Sequence, residues 1–217
     1  MMKKQAKIIE IINYLEQLYP NATCELNYSK DYELLLAVML SAQTTDVRVN
    51  MVTSILFDKY PSLETLANAN VEDIMNIIKP IGTYRKKSKN IIDISNSLLE
   101  NYNGRVPNSR KYLESLPGVG RKTTNVILSI LYNEPVLAVD THVKRVSVRL
   151  GLAKENDDVL IIEQKLTKIL PKEKINKLHH QLIFFGRYHC KARKPNCNNC
   201  ALTNICQYFK TNKNSSL

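Results

Sequence analysis

The sequence predicts an all-α protein, and three observations carry this. Apolar residues recur at helical spacing along almost the whole chain. No segment shows the strict apolar–polar alternation of a half-buried strand. Gly and Pro number only 6 and 8 among 217 residues, about half the usual share, which leaves few turns for a sandwich or barrel. This length has room for one large domain or two small ones, with enough chain to bury a core without staples.

Each helix has its own signals. Ile8, Ile11, Leu15 and Leu18 line one face of a first helix, which stops at Pro20. Asp31 reads as the N-cap of a segment through Leu40. A polar break, Ser41-Ala42-Gln43-Thr44-Thr45, precedes a helix from about Asp46 to Tyr60, ended by Pro61. Short helices follow the capping residues Ser62 and Asn70. Gly82 separates them from a longer helix, Tyr84 to Tyr102, which Asn103-Gly104 terminates. Asn108 or Ser109 caps a helix ending near Leu116. The tight turn Pro117-Gly118-Val119-Gly120 joins it to a second, Arg121 to Tyr132, apolar through Val126, Ile127, Ile130 and Leu131. Pro135 opens a linker, and Asp140 reads as the N-cap of a helix to Leu150 closed by Gly151. Helices over about Asp158–Leu170 and Lys174–His189 lead into a Cys-rich tail. Thr211 to Leu217 are polar and read as frayed.

The charge is lopsided: 31 Lys and Arg face 20 Asp and Glu, for +11. Such a field favours polyanions. From Pro171 onward nine cations face the single acid Glu173, so +8 of the +11 lies there. Stretches free of charged residues, such as Leu34 to Thr45, run no longer than 15 residues, whereas a membrane span needs roughly 20. Met1-Met2-Lys3-Lys4 opens like a secretory signal, but Glu10 and Glu16 break the apolar run that should follow. The reading is a cytoplasmic protein without membrane association. Disulfides are then disfavoured, and clustered cysteines read as metal ligands.

The chemistry must sit in the polar breaks. In Leu116-Pro117-Gly118-Val119-Gly120-Arg121-Lys122 two glycines allow a sharp turn and close backbone approach. The turn opens onto a helix N-terminus, whose amides and dipole favour an anion such as phosphate. The bland alternative is a plain αα-hairpin with a Gly-rich corner. Lys122 lies in the first helical turn, where the dipole and the adjacent Arg121 disfavour a cation. That position suits a nucleophilic amine capable of Schiff-base chemistry; a lysine that only contacts phosphate is the alternative. Asp140, in Val139-Asp140-Thr141-His142-Val143, caps a helix and could also deprotonate a nearby amine or stabilise developing positive charge. His142 is read as a structural residue that could also contact DNA. His179 and His180 are read as structural or surface residues.

Cys190, Cys197, Cys200 and Cys206 give the spacing C-x6-C-x2-C-x5-C, four thiols within 17 positions. Structural zinc sites usually pair two Cys-x-x-Cys knuckles, and here only Cys197 and Cys200 form one. Uneven spacing suits a cubane iron–sulfur cluster held by four Cys. Cys24 stands apart and reads as a small buried hydrophobe. Lys191, Arg193 and Lys194 lie between the first two ligands, on a loop that a metal centre would preorganise for phosphate.

Taken together, these segments resemble the endonuclease III family of DNA base-excision repair enzymes. Leu116 to Thr123 resembles that family's helix-hairpin-helix. Val139 to Val143 is similar to its catalytic-Asp segment, which lies 18 residues after the Lys, as here. The four-Cys spacing is similar to its iron–sulfur loop. Leu40-Ser41-Ala42-Gln43-Thr44-Thr45-Asp46 resembles the segment whose Gln enters the space left by a flipped base. The resemblance runs from the first helix to the cysteines. It implies an all-α, two-domain helix-hairpin-helix glycosylase fold: a central helical domain over 25–134, and a cluster domain joining 1–24 to 135–217. Lys122 and Asp140 would meet in the cleft between them.

It further implies a monomeric, bifunctional DNA glycosylase and abasic-site lyase with a [4Fe-4S] cluster, acting on oxidised pyrimidines in double-stranded DNA. Lys122 would attack the sugar C1′ and Asp140 would assist it. Gln43 would fill the gap. Gly118, Val119, Gly120, Arg121, His142, Lys191 and Arg193 would contact the DNA. Lys122 separates this pattern from the related adenine glycosylases, which lack it. Two departures stand out: Thr124 where the family usually has Ala, and Thr83 before Tyr84 where its wedge usually has a bulky apolar residue. The competing classes are a non-catalytic helix-hairpin-helix DNA-binding iron–sulfur protein, in which Lys122 forms no covalent adduct, and a redox or zinc module whose basic charge is incidental.

Overall fold

The computed structural model of the protein describes residues 2–214, and among them no strand occurs. The chain divides into two compact units, Glu25–Tyr132 and Met1–Cys24 with Asn133–Leu217.

The continuous unit is built around α2 (Asp31–Leu40). Nine of its ten residues are buried, so it is apolar on every side and must be the central helix. Against it pack α3 (Asp46–Lys59), the long α6 (Tyr84–Tyr102) and α8 (Arg121–Tyr132), while the short α4 (Leu63–Ala67) and α5 (Val71–Ile78) pack on α6 and α7 (Arg110–Ser115) packs on α8. The predicted caps form: Ser62 accepts from the Thr65 amide, Asn70 from Glu72 and Ser109 from Tyr112. Asn103 closes α6 in the left-handed conformation (φ 49°). One cap differs. Lys30, not Asp31, precedes α2. The Asp31 carboxylate is instead the first-turn acceptor for the amides of Tyr32 (2.9 Å) and the distant Val106 (3.0 Å), a stronger use of a half-buried charge than a local cap.

The second unit joins α1 (Met2–Leu18) to α9 (Thr141–Arg149), α10 (Val159–Ile169), α11 (Ile175–Phe184) and α12 (Gln207–Asn214). Its core gathers Ile8, Ile11 and Leu15 of α1 with Val143, Val146, Ile162, Leu166, Leu178, Leu182 and Phe185. Asp158 caps α10 through the Ile161 amide. After α11 the backbone widens into a π-helical turn over Phe185–His189, and the Cys190 amide reaches back to the Phe185 carbonyl at 2.6 Å. Sequence periodicity reads this as continuous helix, because one extra residue in a turn leaves the apolar pattern nearly intact. The tail is also more ordered than composition predicts, since residues 211–214 belong to α12; residues 215–217 lie outside the described residues. Cys24 is half-buried rather than buried.

Candidate active site

In the continuous unit, α7 and α8 form the hairpin. Arg110 ties them, donating to Glu114 at 3.0 Å and to the Asn125 side chain at 2.8 Å. The two glycines of the turn differ. Gly118 takes φ +79°, and a Cβ there would lie 2.5 Å from Nδ2 of the buried Asn90 and 3.4 Å from Met39. Its lack of a side chain is required by this chain's own packing. Gly120 faces open space on the side where a Cβ would stand, and its carbonyl receives the Thr124 amide at 3.0 Å. Val119 between them is 4 % exposed, so its side chain belongs to the core, and its amide donates to the Leu116 carbonyl at 3.1 Å. Arg121 and Lys122 open α8 and are both exposed. The exposure of Lys122 leaves its amine accessible, without the desolvation that its nucleophilic reading invites.

The second polar break, after α2, is shaped by backbone strain and by a lysine. Gln43 is exposed and sits at φ 59°, in the left-handed region that a non-glycine residue seldom adopts. Lys87 of α6 is buried. Its ammonium donates to the Leu40 carbonyl at 2.9 Å and the Ala42 carbonyl at 2.8 Å, just where α2 ends. Burial lowers its pKa from the ordinary lysine value. Thr83, the departure from the family wedge, is also left-handed (φ 56°) and exposed, immediately before α6.

In the other unit Asp140 caps α9: its Oδ1 accepts from the Val143 amide at 2.7 Å, and it is half-buried. His142 is half-buried, its Nδ1 3.2 Å from Arg145 and its Cβ against Gly186, where a side chain would come within 2.8 Å of it. These contacts give His142 the structural role that the sequence reading also allows it. Arg145 continues to the Gly186 carbonyl (2.6 Å) and the Cys190 carbonyl (3.2 Å). Arg149, one turn on, donates to the carbonyls of Lys191 (2.7 Å) and Ala192 (3.0 Å), lies 3.4 Å from Cys190 Sγ and stacks on Tyr208 at 4.3 Å. Two arginines of α9 thus hold the first part of the cysteine loop. Lys191 and Arg193 themselves remain exposed.

Cys190, Cys197, Cys200 and Cys206 all line one cavity, walled by Leu150, Phe185 and Tyr208. Among the described residues, no three His, Cys, Asp or Glu side chains are arranged to hold a single metal ion. Burial raises the pKa of Cys197 and Cys200, and the charges of the neighbouring cysteines push in the same direction. Four cysteine side chains on one cavity are the donor set of a cysteine-ligated metal centre.

The structure thus brings the four cysteines to one cavity, and it places Gly118, Val119, Gly120, Arg121 and Lys122 on one hairpin. Gln43 and Lys122 share a unit, while Asp140, His142, Lys191 and Arg193 belong to the other. Sequence reading misses Lys87, Asn90, Arg145 and Arg149. For Lys87 a signal exists: it stands on the stripe of Ile91, Ile94 and Leu98, at spacings of four, three and four.

The model of HhH-GPD superfamily base excision DNA repair proteins matches residues 36–172. Endonuclease III of Bacillus subtilis (strain 168) is 48% identical over 196 residues, 90% of either chain. Endonuclease III of Escherichia coli (strain K12) is 45% identical over 204 residues, 94% of this chain and 96% of that one. The fold superposes on a trapped Endonuclease III–DNA covalent intermediate with a TM-score of 0.91, at 45% identity, covering 96% of this chain and 98% of that one. A thermostable thymine-DNA glycosylase, 23% identical, shares the fold with a TM-score of 0.85, covering 95% of this chain and 98% of that one. With half the chain inside the family model and near-full-length relatives at this identity, the chain belongs to the endonuclease III family of HhH-GPD base excision DNA repair proteins.

Proposed function

We propose that the protein acts in DNA base-excision repair as a bifunctional glycosylase and abasic-site lyase, removing oxidised pyrimidines from double-stranded DNA. The observation that carries this is Lys122: an exposed amine in the first turn of α8, directly after the Gly118–Gly120 turn, in a chain of the endonuclease III family. The likeness to Endonuclease III–DNA complexes supports DNA as the partner.

Extruding the target nucleotide costs a few kcal/mol, least for a damaged and poorly stacked base. Gln43 fills the space the base leaves. The turn at Gly120, which faces open space, together with Arg121 holds a backbone phosphate at the α8 N-terminus. Lys191 and Arg193 hold another from the cysteine loop. Lys122 Nζ then attacks C1′. The C1′–N bond breaks, the base leaves with its electron pair and takes up a proton, and Asp140 accepts the proton that Lys122 gives up. Opening of the sugar gives a Schiff base between Lys122 and C1′. Loss of a C2′ proton then expels the 3′ phosphate, and water releases Lys122.

Cys190, Cys197, Cys200 and Cys206 would hold a [4Fe-4S] cluster. With the cluster bound, the loop would be tied at four cysteines and Lys191 and Arg193 fixed with it. In this reading Glu25–Tyr132 would serve as the helical domain and Met1–Cys24 with Asn133–Leu217 as the cluster domain, the division falling two residues before the expected 134/135 boundary. No helix among the described residues is long and apolar enough to cross a membrane. A monomer working on nucleoid DNA in a bacterial cytoplasm fits this reading.

Borohydride trapping on a duplex with one abasic site tests it. The wild-type chain is expected to form a covalent adduct and Lys122→Ala to form none. An undiminished adduct with Lys122→Ala, or no wild-type adduct, sinks the lyase assignment. Iron and sulfide in equal amounts in the purified protein are expected for the cluster; a colourless, zinc-loaded protein refutes it.

A further inference from the structure

Lys87 is the most unusually placed charge in the continuous unit. It is 5 % exposed, and its ammonium lies between the carbonyls of Leu40 and Ala42. Burying an ammonium is costly unless its donors are satisfied. Here the compensation is local: two carbonyl acceptors at 2.9 and 2.8 Å, at the C-terminal end of α2 where the helix dipole favours a cation. The position is therefore more than tolerated. The Ala42 carbonyl and the Gln43 amide belong to one rigid peptide group, so fixing the carbonyl fixes the entry into Gln43. Gln43 is held at φ 59°, a conformation that persists only where the surroundings over-determine it.

The same residue reaches a second strained position. The Lys87 amide donates to the Thr83 carbonyl at 3.1 Å, and Thr83 is left-handed at φ 56°. A β-branched residue in that region is rarer still. One residue of α6 thus bonds to both exposed, left-handed segments of this unit that precede helices α3 and α6: its side chain to the Ala42–Gln43 turn, and its main chain to Thr83.

We propose that Lys87 is a positioning residue for base extrusion, its ammonium setting the Ala42–Gln43 turn so that Gln43 meets the duplex in a single orientation. The inference rests on the reading of Gln43 as the residue that fills the vacated space. It makes Lys87 important for removing a stacked base, and far less so for chemistry at a site that has none.

The test compares the wild type, Lys87→Met, Gln43→Ala and the double variant on two probes: a duplex with one thymine glycol, and a duplex with one abasic site. Met keeps most of the buried stem and loses the donors. Single-turnover base release by Lys87→Met is expected to slow by about ten- to a hundred-fold, the scale of a misplaced positioning group. Its trapping rate on the abasic duplex should change by less than about threefold, which also reports that it folds. The double variant should release base no more slowly than the slower single variant, because the two residues act as one unit. Equal losses on both probes would mean Lys87 only supports the fold and would overturn the proposal. So would multiplicative losses in the double variant, unchanged base release by Lys87→Met, or a neutral Gln43→Ala beside a slow Lys87→Met. A wild-type chain active on neither probe defeats the repair reading itself, and this inference with it.

Discussion

The Asp140 carboxylate accepts a 2.7 Å hydrogen bond from the Val143 amide, so the residue proposed to take a proton from Lys122 is also the N-cap of its helix. Cap and chemistry separate by substitution. Asn caps a helix as well as Asp, so Asp140→Asn is expected to keep stability within about 0.5 kcal/mol. It should still lower single-turnover base release by about a hundred-fold or more, the usual scale for a lost general base. Asp140→Ala should add a loss of about 1 kcal/mol in thermal unfolding. Wild-type turnover in Asp140→Asn would leave the carboxylate with a capping role alone.

The two glycines of the hairpin should respond differently to alanine. Gly118→Ala meets φ +79° and the buried Asn90 amide 2.5 Å away, and is expected to cost more than about 1 kcal/mol in unfolding free energy. Gly120→Ala points into open space. It should leave the melting temperature nearly unchanged and weaken binding to abasic-site DNA, measured by fluorescence anisotropy. If Gly120→Ala binds as well as wild type, the turn does not approach a phosphate there.

Thr124 is fully buried and its hydroxyl has no hydrogen-bond partner among the described residues. Val has the same shape without the polar atom. Thr124→Val is therefore expected to stabilise by about 1 kcal/mol and raise the melting temperature by about 2–4 °C. A lower melting temperature would mean the hydroxyl is satisfied in solution.

Lys191 and Arg193 are exposed on a loop whose backbone Arg149 holds through the Lys191 and Ala192 carbonyls. If each meets one phosphate, replacing both with Ala should shallow the slope of log K against log salt by about 2. Titrations of a short duplex at several salt concentrations measure this. An unchanged slope would assign the +8 of the C-terminal segment to general attraction only.

How much of this was legible beforehand varies residue by residue. Ser62, Asn70, Ser109 and Asp140 were readable as caps because a short polar side chain before an apolar stripe has a local task that needs no tertiary contact. Asp31 misleads for the opposite reason: its carboxylate answers the amide of Val106, 75 residues away. The left-handed backbone at Gln43 and Thr83 has no glycine to announce it. Lys87 hides among Arg85, Lys86 and Lys89, where composition reads a solvated face while the stripe through Ile91 and Ile94 puts it inside. The cysteine spacing was plain in sequence. The arginines of α9 that grip the loop were not, because they act on carbonyls, which every residue has.

That grip has a mechanical side. α9 carries Asp140 at its first end and Arg149 in its last turn, and nine residues make a rod about 13 Å long. A helix cannot lengthen without breaking its own hydrogen bonds, so its two ends travel together. The arginine contacts that hold the cysteine loop and the carboxylate that caps the helix are thus mounted on one rigid element, so the loop and the Asp140 carboxylate are placed by the same rod.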